Sequence, residues 1–255
     1  MSLFEELIED GKLDKKIIKS FKSKNKLSDK IFADNLMHKD VQSALLKISN
    51  EFIDSLGVEF FIHDIVLTGS LANYNWSQYS DVDLHILIDF DEIDGMKNKD
   101  IVVLHKIIKE FFDAKKNVWN EKHNIKIKGY DVELYVQDVD EPHISSGVYS
   151  VLNNEWVIEP KKETPNIDDR MILEKGEFYA KLIDNLINKS KKGDVLNKID
   201  DLRKKIKEFR QSGLEQGGEY SYENLTFKLL RRNGYIEKLL KLKTNITDKK
   251  LSITQ

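Results

Sequence analysis

The 255-residue chain carries 41 Lys and Arg against 44 Asp and Glu, and a net charge of −3 argues against a protein that coats nucleic acid indiscriminately. There is no cysteine, which excludes disulfides, thiolate metal sites and cysteine nucleophiles. The acidic start "MSLFEELIEDGKL" has no basic segment followed by an apolar run, and no apolar stretch reaches bilayer length, so the expectation is a soluble, cytoplasmic protein with a sizeable core.

In chain order, Leu3 to about Phe32 alternates apolar and charged residues at roughly helical spacing, which predicts an N-terminal helical segment over 1–37. A clearer helix spans Asp40 to Leu56, with Val41, Leu45, Ile48 and Phe52 as its apolar stripe and Gly57 as its stop. "FFIHDIVL" is a short β-forming run, Gly69-Ser70 makes a hook, "LANYNW" suits a short helix, and "DVDLHILID" is a second strand. "IVVLHKIIKEFFDAKKNVW" reads as a helix packed on the sheet. Strands follow at about Ile125–Lys128 and Asp131–Gln137, then a hairpin in "GVYSVLNNEWVI" with Asn153-Asn154 as a two-residue turn. Beyond Pro160 and Pro165 the pattern turns helical, over Asp168–Lys189, Asp194–Arg210 and Tyr222–Lys243, with Gly213–Gly218 as a flexible joint. The fold class is therefore α+β: a small mixed sheet with flanking helices over 38–165, then a helical region over 166–255.

The strand "DVDLHILID" holds the most informative pattern. Side chains alternate between faces, so Asp81, Asp83 and His85 point one way while Val82, Leu84 and Ile86 point to a core. Two ionised carboxylates one pleat apart repel unless a cation bridges them or water screens them, and magnesium takes such hard oxygen donors. Upstream, Gly69 lets a phosphate approach the backbone, Ser70 offers a hydroxyl, and a following helix start adds N–H groups. Carboxylates beside a phosphate cradle form the basic kit for nucleotidyl transfer.

"TGSLANYNWSQYSDVDLHI" resembles the signature of the DNA polymerase β-like nucleotidyltransferase superfamily: a hydrophobic residue, Gly-Ser, about ten residues, then Asp-x-Asp between hydrophobics. The resemblance covers about Val66 to Gln137. It implies that Asp81 and Asp83 bind two magnesium or manganese ions and that a third carboxylate arrives from a later strand. "YDVELYVQD" offers Glu133 as first choice for that acid and Asp131 as second, although many members of the superfamily carry aspartate there. Gly69 and Ser70 would bind the β/γ-phosphates of an NTP. The superfamily often uses a helical appendage as well, which makes Arg231 and Arg232 the candidates for triphosphate contacts. "ENLTFKLLRRNGYIEKLLKL" is also similar to uncharacterised nucleotidyltransferase-like proteins of large tailed phages.

Other readings compete residue by residue. A calcium loop fails, because Ile86 stands where the sixth-position glycine belongs counting from Asp81, and Asp94 stands there counting from Asp89. His85 reads as a hydrogen-bonded neighbour, His143 as a turn residue, and Tyr149 and Trp156 as hairpin core rather than base-stacking groups. Ser146-Gly147 resembles no nucleophile elbow. Arg203, Lys204, Lys205, Lys207, Arg210 and Lys228 read as solvated helix faces with Asp200, Asp201 and Glu208 nearby. The expected enzyme transfers an NMP from an NTP to an acceptor hydroxyl and releases pyrophosphate. The acceptor stays open among a small molecule, a protein, an RNA end and a second nucleotide, with RNA ranked lower on net charge. The alternatives are a catalytically degenerate nucleotide- or partner-binding module of the same fold and an RNA-binding accessory protein.

Overall fold

A computed structural model describes residues 12–93, 101–142, 145–190 and 195–253. The chain divides into two compact units. One takes Met1–Lys22 with Pro165–Gln255, the other Ser23–Thr164, so the segment 1–37 is shared between them at residue 22. No helix among the described residues is long and apolar enough to cross a membrane.

The unit Ser23–Thr164 is the α+β part. It opens with a small hairpin, β1 (Phe32–Ala33) and β2 (Leu36–Met37), turned by Asp34 and Asn35 at φ 48° and 64°. These are residue types that tolerate the left-handed region a two-residue hairpin needs. Helix α1 (Lys39–Leu56) follows and ends at Gly57, whose φ of 69° is the left-handed stop the sequence predicts. A six-stranded mixed sheet then forms from β3 (Asp64–Thr68), β4 (Val82–Ile88), β5 (Lys126–Ile127), β6 (Tyr130–Asp138), β7 (Val148–Ser150) and β8 (Glu155–Ile158), in the order β5-β6-β4-β3-β7-β8. Only β4 and β6 run parallel, because helix α2 (Ile101–Lys122) carries the chain back across the sheet between them.

The core of this unit follows from strand alternation. Val82, Leu84, Ile86 and Ile88 are buried on β4, Ile65 and Leu67 on β3, and Leu134 on β6, in one cluster with Leu45 and Phe52 of α1 and Ile108 and Phe112 of α2. Leu84 is 0 % exposed, and its truncation to alanine would cost about 2–5 kcal/mol.

The other unit is helical: a 3-10 turn at Lys15–Phe21, then α3 (Asp169–Ser190), α4 (Leu196–Gly217), α5 (Tyr222–Arg232) and α6 (Tyr235–Leu251). Ile172, Ala180 and Ile183 of α3, Ile199 and Ile206 of α4, Leu225 and Leu229 of α5 and Leu239 of α6 are buried in it.

Several expectations need correction. Residues 22–31 are not helical; after the 3-10 turn they form an irregular segment that buries Leu27 and Ile31. The expected joint at Gly213–Gly218 is mostly helix. A Cβ at Gly213 would lie 2.4 Å from Glu223 Cβ, so this glycine lets α4 and the start of α5 approach each other, and only Gly218, at φ 66°, makes the turn. The single helix expected over 222–243 is two, broken by Gly234 at φ 74°. The hairpin of β7 and β8 turns over four residues, 151–154, with positive φ at Asn154 alone. The tight two-residue turn lies instead at Lys128-Gly129, both at positive φ, between β5 and β6.

Candidate functional site

The Gly-Ser hook meets the acidic strand through sheet register. β3 and β4 are antiparallel with Thr68 opposite Asp83, so the chain leaves β3 at Gly69 directly beside that carboxylate. Gly69 has φ 71°, and a Cβ there would stand 1.9 Å from Asp83 Oδ2. The position therefore demands glycine twice, for its backbone angle and for the space. The next residues form a 3-10 turn, Gly69–Ala72, in place of the short helix expected over "LANYNW".

Asp81 lies just ahead of β4, and Asp83 and His85 lie within it. All three are half-buried and alternate with the buried Val82, Leu84 and Ile86. Parallel pairing puts β6 in register with β4, Glu133 beside Asp83, Tyr135 beside His85 and Gln137 beside Leu87. In-register partners share a face, so Glu133 joins the acids of β4.

Tyr135 ties this face together. Its hydroxyl donates to Glu133 Oε2 at 2.5 Å, its ring stacks on His85 with centroids 4.8 Å apart, and the Lys116 ammonium lies 4.2 Å from the ring centre. Gln137 Nε2 donates to the Glu141 carbonyl at 3.0 Å, which leaves Gln137 Oε1 to accept from His85 Nδ1 at 2.8 Å and assigns the histidine's proton to that nitrogen. Burial, the hydrogen bond to Glu133 and the charges of Glu133, Asp83 and Asp81 hold the Tyr135 hydroxyl proton far above its ordinary range. Three carboxylates thus act on one phenol.

The hook is braced from two sides. Ser70 Oγ donates to Ser80 Oγ at 2.7 Å, and Ser80, next to Asp81, also accepts from the Ser77 N–H at 2.9 Å. The Gly69 N–H donates to Ser145 Oγ at 3.2 Å, and Asn73 Nδ2 donates to Ser146 Oγ at 2.5 Å. A Cβ at Gly147 would meet the Ala72 carbonyl at 2.0 Å, so that glycine lets the 145–147 loop close onto the hook. Sequence reading missed Tyr135, Ser80 and Ser145. The first two carry a signal in hindsight: Tyr135 stands two residues beyond Glu133 on the same face, and Ser80 adjoins Asp81.

Gly69, Ser70, Asp81, Asp83 and Glu133 come together in the unit 23–164. Asp131 faces solvent and forms an ion pair with Lys126. Arg231 and Arg232 belong to the helical unit, at the end of α5. His143 lies outside the described residues. Tyr149 is fully buried against Phe32 and Trp156, and its hydroxyl accepts from the Met37 N–H at 3.0 Å. Trp156 stacks on Phe32 and donates to the Asn35 carbonyl at 2.8 Å.

The acidic face offers hard oxygen donors, the kind that magnesium and manganese take. Its carboxylates are not drawn together as tightly as His63, Asp89 and Glu92, the one trio among the described residues whose metal-ligand atoms all lie within 4.8 Å of one another. That trio sits at the far ends of β3 and β4, with His63 Nε2 3.2 Å from Glu92 Oε2. No protein-family model, curated protein or solved structure matches the chain.

Proposed function

We propose that the chain is a metal-dependent nucleotidyltransferase of the polymerase β-like kind, acting in the cytoplasm, which moves an NMP from an NTP onto an acceptor hydroxyl and releases pyrophosphate. The observation that carries this reading is the contact of Gly69 with Asp83, with Glu133 in register on the neighbouring strand. Backbone packed this closely against Asp83 would set a phosphate held at the bend beside the paired acids.

Asp81, Asp83 and Glu133 would hold the metal ions, which when bound neutralise the triphosphate and acidify the acceptor hydroxyl. Gly69 would bring its backbone against the β/γ-phosphates, and the Ser70 hydroxyl would turn from Ser80, to which it donates in the free chain, to donate to them. Glu133 takes the acceptor's proton on Oε1, the oxygen not engaged by Tyr135. Asp131, paired with Lys126, is left aside as the third acid. A small molecule or a protein is the favoured acceptor class on net charge, ahead of RNA.

The test is incubation with each α-labelled NTP, magnesium or manganese, and a lysate of the native host. Label transfer and pyrophosphate release are expected, and both vanish in Asp81→Ala/Asp83→Ala. The labelled species names the acceptor class. The looser spacing of the three carboxylates favours a second reading, a nucleotide-binding module without turnover. Nucleotide binding with no transfer under either metal would select it.

A further inference from the structure

The helical unit crowds positive charge onto one face of α5. Asn224, Phe227, Lys228 and Arg231 recur at spacings of three and four, and Arg232 lies one turn beyond Lys228. Arg210 of α4 is pinned against this face. Its Nε donates to Asn224 Oδ1 at 3.3 Å, and its guanidinium lies 4.5 Å from the centre of the Phe227 ring. Asn224 is itself anchored, donating through Nδ2 to the Glu219 carbonyl at 2.7 Å. Arg232 is held in the same manner, donating to Ser20 Oγ at 2.7 Å with its guanidinium 5.1 Å from the centre of the Phe21 ring.

Lys228 is half-buried on this face, and among the described residues its ammonium makes no hydrogen bond or ion pair. Burial pushes its pKa down from the ordinary 10.5 to about 8. Glu219 opposes the shift, and Arg232, Arg231 and Arg210 add to it. Other cations of this unit are differently placed: Arg203 and Lys243 pair with Asp200, and Lys204 with Glu208, on exposed helix surface. A half-buried ammonium beside oriented guanidiniums is unfavourable alone and becomes favourable around an anion with several oxygens.

We propose that Lys228, with Arg210, Arg231 and Arg232 around it, binds the phosphate group of a small molecule. A compact phosphate fits a half-buried ammonium. A nucleic-acid backbone needs an extended exposed track, and on α4 the cations Arg203 and Lys204 are paired with acids. The site requires no metal and none of the sheet carboxylates, so it stands or falls independently of nucleotidyl transfer.

The experiment is calorimetric titration of the full chain with inorganic phosphate and with pyrophosphate, in the absence of divalent cations. Pyrophosphate binding is expected, weakened at least tenfold in Lys228→Met and unchanged in Asp81→Ala/Asp83→Ala. Methionine keeps the apolar stem and removes the charge; should that variant fail to fold, Arg210→Gln carries the same expectation. Equal affinity in wild type and variant, or no binding of either anion, would overturn the proposal. So would salt-sensitive binding of a 16-nucleotide single-stranded RNA that pyrophosphate does not displace, since that outcome marks a nucleic-acid surface.

Discussion

The two units gather charge by different physical means. In residues 23–164 the acids are placed by backbone: β4 and the residue just ahead of it alternate buried Val82, Leu84 and Ile86 with half-buried Asp81, Asp83 and His85, and the parallel register brings Glu133 beside Asp83. In the helical unit the cations are placed by side-chain packing, through the stacking of Arg210 on Phe227 and Arg232 on Phe21. A sheet face tolerates little change of residue type without losing its geometry. A helix face held by long side chains can be edited one charge at a time.

The largest expected effect is therefore at the backbone. Gly69→Val forces a β-branched residue to φ 71° and drives its Cβ into Asp83, so urea unfolding should show a loss of about 2–4 kcal/mol. Pyrophosphate release should fall at least a hundredfold in the folded fraction. Wild-type stability and turnover in this variant would break the backbone half of the comparison.

Next comes Lys228, where the sign is opposite. The unfolded chain holds this proton up to the ordinary 10.5 and the folded chain only to about 8, so the folded state carries an unfavourable charge below pH 8. That cost lifts as pH rises from 8 toward 10.5. Lys228→Met should accordingly gain about 1–3 kcal/mol at pH 7, a gain that shrinks as pH rises past 8 and vanishes only above pH 10.5, read from paired denaturation curves across that window. A destabilised variant at pH 7 would show that the ammonium is already satisfied.

A smaller effect is expected at Tyr135→Phe. The ring still stacks on His85 and faces Lys116, but Glu133 loses its donor, so nucleotidyl transfer should fall roughly fivefold to tenfold with little change in melting temperature. The smallest is Asp131→Asn. This residue faces solvent and Lys126, and transfer should change by less than about twofold. A large loss there would reassign the third acid.

Much of the site was legible because strand chemistry is local. The alternation in "DVDLHILID" predicts which side chains face the core, and β4 buries Val82, Leu84, Ile86 and Ile88 while leaving the acids half-buried. The left-handed stop at Gly57 was readable for the same reason. The break at Gly234 was not read, although glycine offered it, because the periodicity of the flanking residues continues through it. Gly213 was misread in the other direction. Whether a glycine loosens a helix or admits a neighbour depends on what packs against it, here Glu223 and Ser221.

The sequence by itself determined the local pieces: the α+β division, the mixed strand set, the hook and the paired acids. These follow from side-chain periodicity and from the few residues that accept unusual backbone angles. Only the tertiary structure decided the meetings between pieces. It set Gly69 against Asp83, brought Glu133 and Tyr135 alongside β4, and left Lys228 half-buried among arginines rather than on a solvated face. Those outcomes depend on register and packing between residues distant in the chain, which no local pattern encodes.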